Sequence, residues 1–314
     1  MRETFASALL DLMARDHRAV LLIADIGGAD FVEHARRFPD RFRNVGVAEA
    51  NMVAMAAGMA LEGLRPFALT QAVFATARVV DQARFALCQQ CAAVTIVGTG
   101  AGLGFTAMGP SHEALADVAM MRCLPGMTVV CPGDAMEVRA AVDASISVDG
   151  PVYLRLGRSS RPFIHEIMPE FVVGRGIVLR EGDGVCFIAN GSVLSLAWDV
   201  VEILRTEHGM RPGLVSMHTV KPLDAALLAR VFSQYQLVVT VEEHTLLGGF
   251  SSAIAEWLVD RIGPSAALLR IGLRDEFVED APLLDDARTK CGLRTKDIVR
   301  AVLQRLIMET YVGV

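Results

Sequence analysis

The chain has 314 residues, 53% hydrophobic and 21% charged, and carries a net charge of −6 at pH 7. That length is enough for two cores of ordinary domain size. The acidic balance gives no electrostatic support for a nucleic-acid groove or an anionic membrane surface, so neither partner is expected. The start, Met1 to Met13, reads as an amphipathic helix carrying acids and lacks the basic-then-apolar order of a signal peptide. No uninterrupted apolar run reaches membrane-spanning length, and the expectation is a cytoplasmic protein.

Helical and strand patterns alternate along the chain, which is the signature of α/β layering around parallel sheets. Helix 3–15 is followed by a strand over Ala19–Asp25 and the turn Ile26-Gly27-Gly28. A glycine turn off the carboxyl end of a strand is where open α/β sheets place ligands. Neither GxGxxG nor GxxxxGK[ST] occurs, so a dinucleotide or P-loop reading fails. A short extended piece ends at Gly46, and an Ala- and Met-rich helix starts near Ala48. Then come a strand at 66–69, a helix through Arg78 to Arg84, a strand at 93–97 and the glycine loop 98–104. Gly109-Pro-Ser-His-Glu113 reads as the opening of the next helix, with Ser111 as its N-cap. Strand 127–130, helix 135–147 and strand 151–155 complete this half, and 159–175 reads as a linker. The second half gives strands at 185–189, 213–217, 237–241 and 267–271, with helices at 193–206, 224–233, 250–261 and 295–308.

Glu49 stands in the first turn of its helix, where a carboxylate suits the helix dipole. Behind it Met52, Val53, Met55, Ala56, Met59 and Ala60 make the helix apolar nearly all round, which predicts burial. A buried acid is costly unless it is neutral or hydrogen-bonded, so Glu49 is either a helix-end charge that touches water or a functional group. The six cysteines lie scattered in apolar contexts and read as buried thiols. Cys88 and Cys91 form a lone CxxC, too few ligands for a metal site.

Several segments, in order, resemble the transketolase family of thiamine-diphosphate enzymes. They include Ala-Asp-Ile (24–26), Pro-Asp-Arg-Phe-Arg-Asn-Val-Gly-Val-Ala-Glu (39–49), Phe74 with Asp-Gln-Ala-Arg (81–84), and Gly-Pro-Ser-His-Glu (109–113). Leu-Pro-Gly-Met-Thr-Val-Val-Cys-Pro-Gly-Asp (124–134), Leu-Gly-Arg (156–158) and Val-Glu-Glu-His-Thr (241–245) continue the series. The resemblance implies two three-layer α/β/α domains: a pyrimidine-binding domain over 1–165 and a transketolase C-terminal domain over 166–314, the latter with a mostly parallel sheet.

By that resemblance Glu49 is catalytic: it shares a proton with N1′ of the aminopyrimidine and favours the imino form, which can deprotonate the thiazolium carbon. Asp25, Ile26, Gln71 and Phe74 match positions around the cofactor. His112 matches a substrate-pocket histidine that bonds the donor's oxygens and moves protons. Arg158 and Arg2 match positions that hold a substrate phosphate, a task suited to a planar guanidinium. Three departures stand out. Met108 replaces the usual acid before Gly-Pro-[Ser/Thr]-His, Gly100 stands where a histidine is common, and Gln71 replaces an aromatic residue.

The Gly-Asp-Gly motif that binds diphosphate and Mg²⁺ in the family is followed by Asn roughly 25 residues on. Gly182-Asp183-Gly184 has Asn190 too near and reads as a turn in a hairpin into strand 185–189. The resemblance therefore implies a split enzyme. Thiamine diphosphate would be shared with an N-terminal partner subunit that holds Mg²⁺, in an α2β2 heterotetramer acting on small molecules. The expected reaction is transfer of a two-carbon ketol or related acyl-anion unit to an aldehyde. Its rivals are a 1-deoxyxylulose-phosphate-synthase type, a 2-oxo-acid-dehydrogenase β type and a non-catalytic scaffold of the same fold.

Overall fold

The structure is a computed structural model that describes residues 1–159, 161, 163–261 and 265–312. Among the described residues, strands β1 (Ala19–Ile23), β2 (Phe42–Asn44), β3 (Arg65–Gln71), β4 (Thr95–Thr99), β5 (Thr128–Val130) and β6 (Val152–Leu156) belong to the first sheet. The second half contributes β7 (Ile177–Arg180), β8 (Val185–Ala189), β9 (Gly213–Ser216), β10 (Thr219–Lys221), β11 (Leu237–Thr245) and β12 (Ala267–Leu273).

The first sheet runs in the order β10-β5-β6-β4-β3-β1-β2. It is parallel throughout except for β10, which lies antiparallel on β5. β1, β4 and β6 are buried at every position, because helices cover both faces of the sheet. Each fully buried aliphatic side chain contributes about 1.5–3 kcal/mol, and β1 is an unbroken apolar run, whereas β4 also buries Thr95 and Thr99 and β6 buries Arg155. The second sheet runs β12-β11-β8-β9-β7, parallel except for the β7–β9 pair.

Several local expectations change. Strand β1 ends at Ile23, and Asp25 turns out of it with φ +52°. The helix Glu49–Leu61 is two-faced: it buries Met52, Val53, Ala56 and Ala57 and exposes Asn51, Ala54, Gly58 and Leu61. Two of these four outer positions carry Ala or Gly, which are apolar without needing burial. Ser111 caps no helix; Pro110–His112 is a single 3₁₀ turn, and the next helix begins at Asp117. The chain goes extended at Glu113, and Ala114 bridges back to Gly102. Gly182–Gly184 is a turn but not a hairpin, since β7 pairs with β9 and not with β8. Cys91 and Cys123 are exposed rather than buried.

β10 shows how the two halves interlock. It comes from the second half yet completes the first sheet, with Thr219 opposite Val130 and Lys221 opposite Val129. The stretch read as a linker is pinned as well: the backbone N–H groups of Ile164 and His165 donate to Asp134 Oδ2 at 2.7 and 3.0 Å. His165 Nε2 lies 2.9 Å from Glu137 Oε1 in a buried pair. Burial works against charge on His165, but the Glu137 carboxylate prevails and raises its pKa. The same burial opposes charge on Glu137, and bonds from His165 and its other neighbours hold its pKa below the usual range.

Candidate active site

The carboxyl ends of β1, β3, β4 and β6 face one edge of the first sheet, and the residues singled out in the sequence gather there. After β1, Asp25 is held by Asn44. Asn44 Nδ2 donates to Asp25 Oδ1 at 3.0 Å, and the Asp25 and Gly46 N–H groups donate to Asn44 Oδ1 at 3.1 and 3.0 Å. Ile26 follows, half-buried against the core beneath. Asn44 thus fixes the approach to both Asp25 and the Glu49 helix, a role with no signal beyond its place before Val45-Gly46.

Glu49 is 4% exposed, yet it is paired. Arg78 Nη1 donates to both carboxylate oxygens, at 2.9 and 3.0 Å. The same guanidinium lies over the face of Phe74, 3.8 Å from its centroid. Phe74 in turn meets the His112 ring edge-on at 5.3 Å and 72°. Glu49, Arg78, Phe74 and His112 therefore form one contiguous series. Arg78 escaped the sequence reading because a surface arginine is commonplace; its position four residues after Phe74 on a helical stretch was the available clue. Ser111 Oγ lies 2.9 Å from His112 Nδ1, which leaves Nε2 as the nitrogen free to act elsewhere.

At the same edge of the sheet, by the carboxyl ends of β4 and β6, is a cavity of about 510 Å³. It brings together Arg2, Gly100, Met108 and Arg158, along with Phe105 and Leu156. Its lining mixes apolar groups (Phe105, Met108, Leu156) with polar and charged ones, among them Arg2, Arg158 and the carboxylate-bearing Glu3. Arg2 Nε is paired with Asp30 Oδ2 at 2.6 Å, while Met108 is 55% exposed. His112 and Glu49 do not line this cavity; the link runs through the sheet, where Gln71 at the end of β3 is in register with Thr99 at the end of β4. Gln71 Oε1 is buried with no hydrogen-bond partner among the described residues.

The second half supports the cavity floor. Glu243 Oε1 accepts from the Leu103 N–H at 3.1 Å and so holds the glycine loop. Glu243 Oε2 accepts from Arg288 Nε at 2.7 Å, and Arg288 Nη2 donates to the Arg158 carbonyl at 3.3 Å. Beneath lies Asp117, fully buried and bonded to Arg155 Nε at 2.7 Å, Arg155 Nη2 at 3.1 Å and Tyr153 OH at 2.7 Å. Burial penalises the Asp117 charge, but Arg155 outweighs it and keeps the carboxyl below its usual range. Glu242 accepts the N–H groups of Phe250 and Ser251 at 2.7 and 2.9 Å, capping the helix that follows. Val-Glu-Glu-His-Thr is thus a structural segment in this chain: three adjacent charged or polar residues on a buried strand, each with a partner.

A parallel sheet with its functional groups beyond the carboxyl ends of the strands is the ligand-binding arrangement of open α/β proteins. Family models agree on a narrower class: residues 1–162 match the transketolase pyrimidine binding domain, and 174–294 match the transketolase C-terminal domain. The chain belongs to the transketolase family. Among its relatives is the 6-deoxy-6-sulfo-D-fructose transketolase subunit SqwH of Clostridium sp. (strain MSTE9), 37% identical over 302 residues that cover 96% of this chain and 92% of that one. The 1-deoxy-D-xylulose-5-phosphate synthase of Pseudomonas aeruginosa (strain LESB58) is 35% identical over 306 residues, 96% of this chain but only 47% of the enzyme. Among solved structures, a split gene transketolase described as an inactive β4 tetramer superposes with a TM-score of 0.88 at 38% identity, covering 96% and 97% of the two chains.

The family uses thiamine diphosphate, and the residues present fit its aminopyrimidine end. Buried Glu49 and the Phe74 face can take a planar, nitrogen-rich group: the chain's own Arg78 guanidinium fills that place here, and a pyrimidine would bind there in its stead. The unpartnered Gln71 Oε1 adds a buried acceptor at the end of β3. No cluster of three or more His, Cys, Asp or Glu side chains that could hold a metal occurs among the described residues. Nor is any helix among them long and apolar enough to cross a membrane.

Proposed function

We propose that this chain is the C-terminal component of a two-subunit transferase that moves a two-carbon ketol, or a related acyl-anion unit, from a ketose or oxo-acid donor to an aldehyde. Residues 1–165 would form its pyrimidine-binding unit and 166–314 its C-terminal unit. The observation that carries this reading is Glu49: a buried carboxylate at a helix mouth, bonded to a planar cation that is stacked on Phe74. Bound thiamine diphosphate would supply the electron sink for carbon–carbon bond cleavage. Glu49 holds and returns a proton at the pyrimidine N1′, in a setting where burial keeps water from competing. Asp25, Ile26, Gln71 and Phe74 orient the pyrimidine. His112, with Nδ1 set by Ser111, presents Nε2 to the donor's oxygens and moves protons there.

Arg158 and Arg2 hold an anionic end of the substrate, Arg2 sharing its charge with Asp30. The names of two relatives, a sulfosugar transketolase subunit and a sugar-phosphate synthase, support an anionic terminus. Met108 takes the place of an acid and accepts hydrogen bonds poorly. In this reading the N-terminal partner holds Mg²⁺ and the diphosphate, and the assembly is α2β2. The relative described as an inactive β4 tetramer supports a lone chain that assembles without activity. The 35% identity to a 1-deoxyxylulose-phosphate synthase supports a second reading, an acyl-anion rather than ketol transfer on the same residues.

Reconstitution tests the proposal. Purified chain should bind thiamine diphosphate with Mg²⁺ weakly by calorimetry and turn over no ketose, gaining tight binding and turnover on addition of an N-terminal transketolase subunit. Tight binding and turnover by the chain alone would discard the split arrangement.

A further inference from the structure

The cavity at the carboxyl ends of β4 and β6 owes part of its lining to two residues, Gly100 and Phe105. Gly100 has φ +66°, and a Cβ built on it would overlap the Phe105 ring at Cδ2 and Cε2 and sit 3.0 Å from Cζ. The Phe105 ring therefore occupies the space that any side chain at position 100 would need. Phe105 cannot easily leave. On its amino-terminal side Gly104 lies against the Gly100 backbone, where a Cβ would meet the Gly100 Cα and carbonyl carbon at 2.9 Å, and Leu103 N–H is held by Glu243. On its carboxyl-terminal side the Thr106 hydroxyl donates to the Ala281 carbonyl at 3.1 Å. Both anchors on the loop come from the second half of the chain. The ring is half-buried and lines the same cavity as Met108, Leu156, Arg2 and Arg158.

We infer that Phe105, seated on Gly100, is a specificity-determining residue. Its ring gives this part of the cavity an aromatic face where no side chain at position 100 can stand, and makes the cavity select substrates with an anionic end but fewer hydroxyl groups along the carbon chain. The inference rests on the transferase reading above and deepens it. A hydroxyl directed at Phe105 or Met108 loses its water and gains no comparable partner, whereas a methylene in the same place is buried at no such cost. The guanidinium groups of Arg2 and Arg158, which line the same cavity, engage the anion. Apolar walls discriminate modestly, so the expected preference is on the order of 10–100-fold per hydroxyl.

The test uses the chain assembled with its N-terminal partner and thiamine diphosphate, with hydroxypyruvate as donor. Two acceptors of equal length and charge are compared, glyceraldehyde 3-phosphate and 3-phosphooxypropanal, which lacks the hydroxyl. Wild type should favour 3-phosphooxypropanal in kcat/KM, and Phe105→Ala should shrink that ratio by about 10-fold. Gly100→His alone should lower kcat/KM for both acceptors, while Gly100→His with Phe105→Gly should recover activity and turn the preference toward glyceraldehyde 3-phosphate. An NMR measurement on the single chain is independent of turnover: the Gly100 Hα protons should be ring-current shifted in wild type and not in Phe105→Ala. A shifted Gly100 signal with an acceptor ratio unmoved by Phe105→Ala overturns the inference and leaves the transferase reading standing. Absence of transfer to either acceptor from hydroxypyruvate or any ketose overturns both.

Discussion

Replacing Arg78 by Met isolates the pairing on which the site geometry turns. The Glu49 side chain is 5% exposed and that of Arg78 44%. Stripping the cation from a fully buried carboxylate costs about 3–5 kcal/mol, while a fully exposed pair contributes about 0.2–1 kcal/mol. Arg78 is nearly half in water, so solvent recovers much of its charge and can reach Glu49 once the guanidinium is gone; a coupling of about 1–2 kcal/mol is expected. The stacking of Arg78 on Phe74 adds about 0.5–1 kcal/mol to the single substitution. A double-mutant cycle with Glu49→Gln removes that second contribution, since it is lost in both backgrounds. Urea unfolding of wild type, Arg78→Met, Glu49→Gln and the double variant gives the coupling directly. A value within 0.3 kcal/mol of zero, on the order of ordinary additivity error, would refute the claim that Arg78 compensates the buried carboxylate.

Other outcomes follow from the same geometry. His165 has a raised pKa in the folded chain, so its pairing with Glu137 stabilises fully below the ordinary histidine value of 6.5 and is lost as pH rises through the raised value. Unfolding curves of wild type and His165→Gln should therefore converge on going from pH 6 to higher pH; a gap that widens contradicts the pairing. Arg155→Met leaves fully buried Asp117 without its cation and should cost about 3–5 kcal/mol in urea unfolding; a loss under about 1 kcal/mol would mean that Asp117 takes up a proton at little cost. Met108→Asp should raise kcat/KM for xylulose 5-phosphate relative to less hydroxylated donors by about 10-fold or more. A strong native preference for xylulose 5-phosphate that this substitution leaves alone would return the cavity to an ordinary phosphoketose site.

How far the sequence could be read depended on the range of the interactions involved. The strands of the first sheet were legible where burial on both faces makes an apolar run, as in Ala19–Ile23, but their limits were not: β1 stops two residues short of Asp25, and β4 lies at Thr95–Thr99 rather than 93–97 because its threonines are buried as well. Glu49 was legible because a carboxylate facing an apolar helix is a local contradiction. What escaped depends on distant partners. β10 is three residues long, and its identity as a strand comes from β5, ninety residues earlier in the chain. The helix Glu49–Leu61 looked buried all round because composition counts Ala and Gly as apolar without recording that they tolerate water. Ser111 looked like an N-cap, but Gly109 at φ +77° turns the chain so that His112 ends a single 3₁₀ turn and Ala114 goes to Gly102. Arg78 and Phe105 carry no local signature, and Glu243 stands in the family-like Val-Glu-Glu-His-Thr without a sign of what it holds; each acquires its role from a residue that the fold brings to it.

The central claim is that Glu49 handles the pyrimidine proton, and the exchange rate of the thiazolium C2 proton for deuterium in the assembled complex measures that step without involving any substrate. The account predicts that Glu49→Gln leaves assembly with the N-terminal subunit intact and slows exchange by about 10²–10⁴-fold, the range of a positioned proton transfer. Exchange as fast in Glu49→Gln as in wild type, in a complex of the same composition, would contradict it.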